Sequence, residues 1–473
     1  MRRAALVGLI ALAGCVSAPA YRPSSVALPK TFREVDPAQP ISAPAAWAPA
    51  AAAPVEFDAG FWRRLGDTTL DRLMDQALRT NLDLQAAQAR LRAARAARAR
   101  AVLDLTPDGA LAGGYTRRRF ASASFPGASS RFPDEDVWDA GFDAVWEIDV
   151  FGRIRRTVRA HSALVAASRE DLRGVTVTLA AELARAYFEL RGAEEQLDVA
   201  RRNAENQRRT LELTRERLEA GRGTAFDVER ALAQLNVTLA SIPAREAQVA
   251  AAQYRIGVLT GRPPTIVAGE FPPTARQVAL PDTVAVGTPD SVLRTRPDVA
   301  AAERLAAAQA ALASAARAEY LPRLSVGGNA GYTAADFDRL GNDGTFRYAV
   351  GPVLRWPLLG LGRIKADVSA ARARADAARA EYGQIVLEAM EEVESSLARY
   401  RAARSRVEQL AAAAAASERA AELARMRFSE GIVDFLQVLD AERTQLESQD
   451  LLAQGRTEAA TAYAALYQAL GGP

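Results

Sequence analysis

Trp146-Glu147-Ile148-Asp149-Val150-Phe151-Gly152-Arg153-Ile154 returns 210 positions later as Trp356-Pro357-Leu358-Leu359-Gly360-Leu361-Gly362-Arg363-Ile364. The Trp, the Gly-Arg pair and the Ile keep their places, and the same offset carries Gly221 and Val228 to Gly431 and Val438. Upstream, Leu78-Arg79-Thr80-Asn81-Leu82-Asp83 reappears as Leu293-Arg294-Thr295-Arg296-Pro297-Asp298. Each leads into an Ala/Arg-rich helical stretch that stops before a proline, Pro107 or Pro322. An ordered match of this kind reads as a tandem duplication. Residues 61–263 form one copy and 290–473 the other, with a Pro-rich linker at 264–289.

After each Gly-Arg the chain is written for a very long helix. No proline occurs between Pro133 and Pro243, or between Pro357 and Pro473. A helix from Arg153 to about Ala220 would reach ~100 Å at 1.5 Å per residue, and needs a partner along its length. The period supplies one. Leu183, Leu190, Leu197, Ala204, Leu211 and Leu218 recur every seven residues, and Val393, Tyr400, Val407, Ala414, Ala421 and Phe428 repeat the track in the second copy. The return segment carries Val228, Leu235, Ile242, Val249 and Ile256 at the same spacing. This is a coiled-coil seam, rich in small residues that let helices pack closely. Dense Arg and Glu exclude these helices from a bilayer.

Ahead of each Gly-Arg the period changes to two. Trp138, Ala140, Phe142, Ala144, Trp146 and Ile148 alternate with more polar or small neighbours, as do Phe346, Tyr348, Val350, Pro352, Leu354 and Trp356. Weaker partners precede them: Leu111, Gly113 and Tyr115 in one copy, Leu324, Val326, Gly328, Ala330 and Tyr332 in the other. Hairpins are expected at about 108–148 and 322–357. Strands of about ten residues, apolar on one face with aromatics near the ends, suit a membrane barrel, although a half-buried soluble sheet shows the same period. Four strands are too few to close a barrel, and open edges cannot sit in lipid. Strands that span must therefore be pooled by several copies.

The composition removes other classes. Of 473 residues, 49% are hydrophobic and 25% charged, with 60 Lys+Arg against 57 Asp+Glu. The Arg and Glu alternate rather than gather in a patch, which argues against a nucleic-acid partner. One Cys and one His exclude a disulfide framework within the chain and argue against a zinc or haem centre, so no metal and no cofactor are expected. His161 has no carboxylate cluster beside it, and no nucleophile elbow or phosphate loop stands out, so no catalytic residues are assigned.

The lone Cys sits in an address. Arg2 and Arg3 precede an apolar run from Ala4 to Ala13, and Leu12-Ala13-Gly14-Cys15 looks like the lipobox of bacterial lipoproteins. Residues 1–14 are then a signal peptide, Cys15 the acylated first residue, and 15–60 a Pro/Ala-rich tether. Val16 follows where, in enteric-type lipoproteins, an Asp would retain the protein in the inner membrane.

Taken in order, these features resemble the TolC-like outer-membrane factor family, in particular its OprM-like lipoprotein branch. The resemblance runs from Phe61-Trp62 through both strand-hairpin and helical-hairpin units to Leu470-Gly471-Gly472. It implies a mainly α fold with a membrane β-barrel part: a homotrimer pooling four strands per protomer above a periplasmic α-barrel of coiled-coil hairpins. It implies an outer-membrane channel of a tripartite efflux system, lipid-anchored and barrel-inserted. Its partners would be a periplasmic adaptor and an inner-membrane pump of the resistance-nodulation-division type. A channel for type I protein secretion, and a coiled-coil adaptor or structural lipoprotein, remain the alternatives.

The hairpin tips fall at about 221–227 and 431–437. There Gly221 and Gly431 suit left-handed helix ends, while Thr224 with Asp227 and Asp434 with Gln437 read as capping boxes. By resemblance, Leu436 and Asp440 match residues that narrow the channel entrance. Asp227 and Gln437 match tip positions that hold such channels closed, and Asp434 joins them as a gate candidate. Three Asp440 carboxylates would make an acidic ring; equally, Asp440 could simply pair with Arg443 on its own helix. Val433 stands where TolC itself has a linking Arg, so that bond is not carried over.

Overall fold

A computed structural model of the chain describes residues 29, 31–34, 60–124, 132–267, 271, 277–281, 284 and 286–472. The signal peptide, Cys15, most of the tether and parts of the linker lie outside the described residues. The elements run α1 (Gly60–Arg63), α2 (Thr68–Thr80), α3 (Leu82–Leu103), β1 (Asp108–Arg118), β2 (Glu135–Ile148), α4 (Arg153–Glu219) and α5 (Ala225–Leu259). They continue with α6 (Pro264–Val267), α7 (Pro289–Thr295), α8 (Pro297–Ala318), β3 (Arg323–Ala334), β4 (Phe346–Arg355), α9 (Leu361–Ser429) and α10 (Phe435–Ala469). The second series repeats the first. No helix among the described residues is long and apolar enough to cross a membrane.

The chain separates into two compact units. One holds Arg90–Arg169 and Ala301–Gly383. In it the strands form one antiparallel sheet in the order β1-β2-β3-β4. Pairing in register (Leu111 with Phe142, Phe142 with Ala330, Ala330 with Tyr348) puts every apolar position of the alternating pattern on one face. The other face carries Asp139, Asp143, Glu147, Asn329, Thr333 and Arg347 among glycines and other small residues, with Val145 and Val353 as its apolar exceptions. A sheet in water would bury its apolar face, yet Leu111 is 87% and Tyr348 73% exposed. The outer edges of β1 and β4 pair with nothing among the described residues. Both copies fasten strand to helix identically: Trp146 Nε1 donates to Leu105 O at 2.9 Å and Trp356 Nε1 to Tyr320 O at 3.1 Å.

The other unit holds Val26–Ala89, Glu170–Ala300 and Gln384–Pro473. The seam residues Leu183, Leu190, Leu197, Ala204 and Leu211 are buried, as are Val393, Tyr400, Ala414, Ala421 and Phe428. Leu218, the penultimate residue of α4, departs from the pattern and is exposed. Phe61 and Trp62 pack against Tyr467, with ring centroids 4.7 Å apart in each case. Beside them Asp67 caps α2 and accepts the Tyr187 hydroxyl at 2.6 Å, while Arg191 donates to that hydroxyl and pairs with Glu194 at 2.7 Å. Burial, and then the Asp67 bond, push the Tyr187 phenol well above its ordinary value of 10.0, which keeps it a donor.

Two corners close the copies by one device. Asn81 Nδ2 donates to Leu259 O at the end of α5, and Arg296 Nη1, at the matching corner, donates to Ala469 O at the end of α10. Gly261 and Gly471 follow with φ of 66° and 84°. A Cβ at Gly261 would come within 2.3 Å of Thr80 O, so the corner excludes any larger residue. Arg296 also grips Asp298 and Glu392, at 2.6 Å each. Burial pushes the Asp298 carboxyl up, but the guanidinium outweighs it and holds the group below its ordinary 3.8.

The tether reading needs one amendment. Phe32 is buried in the apolar core of this unit, and the N–H groups of Arg33 and Glu34 donate to the two Glu394 carboxylate oxygens at 2.8 and 3.1 Å. Arg401 holds the Glu34 side chain. This part of 15–60 is thus clipped to α9 rather than merely extended.

Candidate channel gate at the helix tips

Both hairpin tips turn by the same local chemistry. Gly221 and Gly431, at φ of 69° and 79°, end α4 and α9. Arg222 N bonds Arg217 O at 2.8 Å and Ile432 N bonds Arg427 O at 2.9 Å, the Schellman arrangement that satisfies terminal carbonyls. The next helices start from caps. Thr224 and Asp227 form a reciprocal capping box. Asp434 accepts Gln437 N at 3.1 Å, but among the described residues the Gln437 side chain makes no return bond, so the second box is only half made. Asp227 and Asp434 are thus engaged in starting α5 and α10.

Leu436 is 51% exposed on the first turn of α10. One turn on, Asp440 pairs with Arg443 at 3.0 Å, with side chains 65% and 60% exposed. An ion pair that open to solvent is worth well under 1 kcal/mol and does not tie the carboxylate down. At the duplicate positions stand Phe226 and Arg230, the guanidinium 5.3 Å from the ring centroid. One tip therefore presents an apolar residue followed by an anion, and the other an apolar residue followed by a cation.

What joins the two hairpins lies elsewhere. Arg217, in the last turn of α4, donates Nη1 to Phe428 O at the end of α9, and its guanidinium sits 4.4 Å from the Phe428 ring centroid. Phe428 and Phe435 lie 5.8 Å apart in an apolar cluster with Leu211, Ala231, Leu235 and Val438. A cleft of ≈ 570 Å³ opens beside it, lined in part by Arg217, Asp227, Phe428 and Leu436.

Behind that cluster runs a polar seam. Buried Glu442 of α10 accepts from Thr210 of α4 at 2.7 Å and from Arg425 of α9 at 3.3 Å. Asn203 donates to Gln449 at 3.0 Å. Gln207 and Gln445, both buried, leave side-chain atoms without a partner. In the first copy the positions matching Glu442, Gln445 and Gln449 are Leu232, Leu235 and Leu239. That contrast was the available sequence signal. Arg217 gave none, because it looks like any other arginine of a solvated helix face.

Comparison with known proteins decides the family. The model of the family described as "Outer membrane efflux protein" matches residues 73–262 and 288–472. The chain belongs to that family. Its two matched segments fall on the two copies. The family is one of channels, not enzymes, so the absence of assigned catalytic residues is consistent with its chemistry. Outer membrane protein OprJ of Pseudomonas aeruginosa is 30% identical over 99% of this chain and 95% of its own length. The pyoverdine export outer membrane protein OpmQ of the same organism is 29% identical over 87% of each chain. The solved structure of the outer-membrane channel OprN is 35% identical with a TM-score of 0.86, covering 97% of this chain and 99% of that one. This outer membrane efflux protein has the fold of TolC-like channels, with the tandem duplication read from Trp146 and Trp356.

Proposed function

We propose that three copies of this chain pool their sheets into one barrel through the outer membrane and serve as the exit duct of an efflux pump. The observation that carries this is the sheet: its apolar face is uncovered and, among the described residues, both its edges are unpaired, in a chain similar over nearly its whole length to efflux channels. Only closure with further copies satisfies the edge N–H and C=O groups in lipid. The duct adds no energy of its own. A periplasmic adaptor and an inner-membrane pump of the resistance-nodulation-division type would load it, and acyl chains on Cys15 would help anchor it. Each buried methylene contributes about 0.8 kcal/mol, so several chains hold far better than one.

The tips form the gate. Leu436 makes an apolar constriction and Asp440 an acidic ring that favours cations and opposes anions, with Asp227, Asp434 and Gln437 fixing the turns. In the closed state Arg217 and the Thr210–Glu442–Arg425 chain hold the second hairpin against the first. Deleting the gene and screening susceptibility to a panel of toxic compounds tests the assignment, alongside the mass of the detergent-purified oligomer. Hypersusceptibility to several unrelated compounds and a trimeric mass are expected. A monomer that stays in buffer without detergent, or unchanged susceptibility with lost secretion of a protein, overturns it.

A further inference from the structure

On the polar face of the sheet one charge is left over. Arg347 of β4 stands opposite Gly331, which in turn stands opposite Gly141. With no side chain on either glycine in its path, the guanidinium reaches Asp139 of β2 and binds both carboxylate oxygens at 2.6 Å. It also donates to Thr333 at 2.7 Å and to Asn329 at 3.0 Å. That cation is neutralised and its donors are taken. Elsewhere on this face Glu135 pairs with Arg118, Glu147 with Arg153 and Arg323 with Glu319.

Asp143, on the inner strand β2, is the exception. It is exposed, and among the described residues it has no ion pair and no hydrogen bond. Its register neighbours are Ala110 and Asn329, with Ala349 beyond, and an open trough of ≈ 620 Å³ runs past them. Side chains this small leave the carboxylate uncovered. Asp108 of β1 and Arg355 of β4 are also exposed and, among the described residues, unpaired. They carry opposite signs and sit on the two edges that closure of a barrel would join, so they cancel in the sum. Asp143 does not.

Three copies of a four-stranded sheet make a ring of twelve strands. At about 4.8 Å between strands and a tilt of ~40°, its wall has a radius of about 12 Å. Side chains on the inner face then bring three Asp143 carboxylates within roughly 10 Å of the axis, a distance over which dilute salt screens little. We infer that Asp143 forms a second cation-favouring ring, inside the barrel and separate from Asp440, which concentrates cationic solutes and depletes anionic ones on their way out. The inference rests on the trimeric barrel proposed above. Salt tells the two rings apart. The Debye length is about 30 Å at 0.01 M and about 3 Å at 1 M, so a ring on a wide wall acts across its lumen only in dilute salt.

The test is the reversal potential of the purified oligomer in planar bilayers under a KCl gradient. It is made in the Asp440→Ala channel, so that the tip ring does not mask the barrel. Near 0.01 M, Asp143→Asn should lower the permeability ratio of potassium over chloride by about fivefold, and near 1 M it should change nothing. The carboxylate has no partner to lose, so the sheet should tolerate the change. Asp143→Cys should lower the ratio equally. A sulfonate-bearing methanethiosulfonate added from the side of the β-hairpin loops should then restore it, by returning a negative charge to the same place. The channel without that cysteine, given the same reagent, is the control. Unchanged selectivity of Asp143→Asn in dilute salt overturns the inference. So does an equal effect at 1 M, or a thiol that the reagent does not reach in the assembled channel. A chain that forms no conducting oligomer fails the channel reading, whereas a conducting oligomer indifferent to Asp143→Asn fails only this inference.

Discussion

Replacing Arg217 by Met keeps the length of the side chain and removes only the guanidinium. That group makes one charge-assisted bond to Phe428 O and stacks 4.4 Å from the Phe428 ring centroid. A hydrogen bond from a charged donor contributes about 1.5–3 kcal/mol, and a partly exposed cation–π contact about 0.5–1 kcal/mol. Phe428 O also accepts the Gly431 N–H at 2.9 Å, so the carbonyl is not orphaned by the change. The loss should therefore fall near 2 kcal/mol. If the contact exists only in the closed state, the ratio of open to closed channels rises about thirtyfold. Single-channel recording in planar bilayers reads this as a higher open fraction, and Arg217→Lys should give an intermediate value. The control is Arg427→Met, the duplicate position, which is exposed and pairs with nothing among the described residues. An Arg217→Met channel that is folded and trimeric but gates like the native one would refute the latch.

Three further outcomes are expected. Leu436→Ala should raise conductance, and Asp440→Ala should reduce cation preference measured by reversal potential; neither changing would remove them from the constriction. Changing Gln207 and Gln445 together to Leu, as the first copy has at the position matching Gln445, should raise thermal stability. Each unpaired buried amide costs about 1–3 kcal/mol, and a lowered melting temperature would mean that those amides are satisfied in solution. The Asp298 carboxyl is held below its ordinary 3.8, so its stabilisation is complete above that pH and is lost as the pH falls through its lower folded value. Asp298→Asn should accordingly flatten the acid limb of a melting-temperature profile below about pH 4; an unchanged limb would show that the pair with Arg296 does not contribute.

The regular parts of this molecule were legible because they repeat. Alternation from Trp138 to Ile148 gave the strand and its apolar face, and the seven-residue track from Leu183 to Leu211 gave the seam. Glycine and cap chemistry placed both tips. The seam failed at Leu218, where the hairpin is about to turn and its packing partner ends. Contacts between hairpins were beyond reach, since they depend on which faces meet in space. Asp434 and Gln437 had the spacing of a capping box, yet side-chain rotamers decide whether the return bond forms, and only one direction is made. The clip at Arg33 and Glu34 was hidden for a simpler reason: its acceptor, Glu394, lies more than three hundred residues away.

The central strand pair sets an order of events. Ile148 of β2 lies beside Leu324 of β3, with all of α4 to α8 between them in the chain. Synthesis proceeds at about 5–20 residues per second, so the first β-hairpin waits on the order of ten seconds for its neighbour. Throughout that wait Leu111, Phe142 and Trp146 stand open to water on a two-stranded ribbon too small to be stable alone. The apolar face of the first hairpin therefore stays without its neighbouring strand until more than two-thirds of the chain has been made.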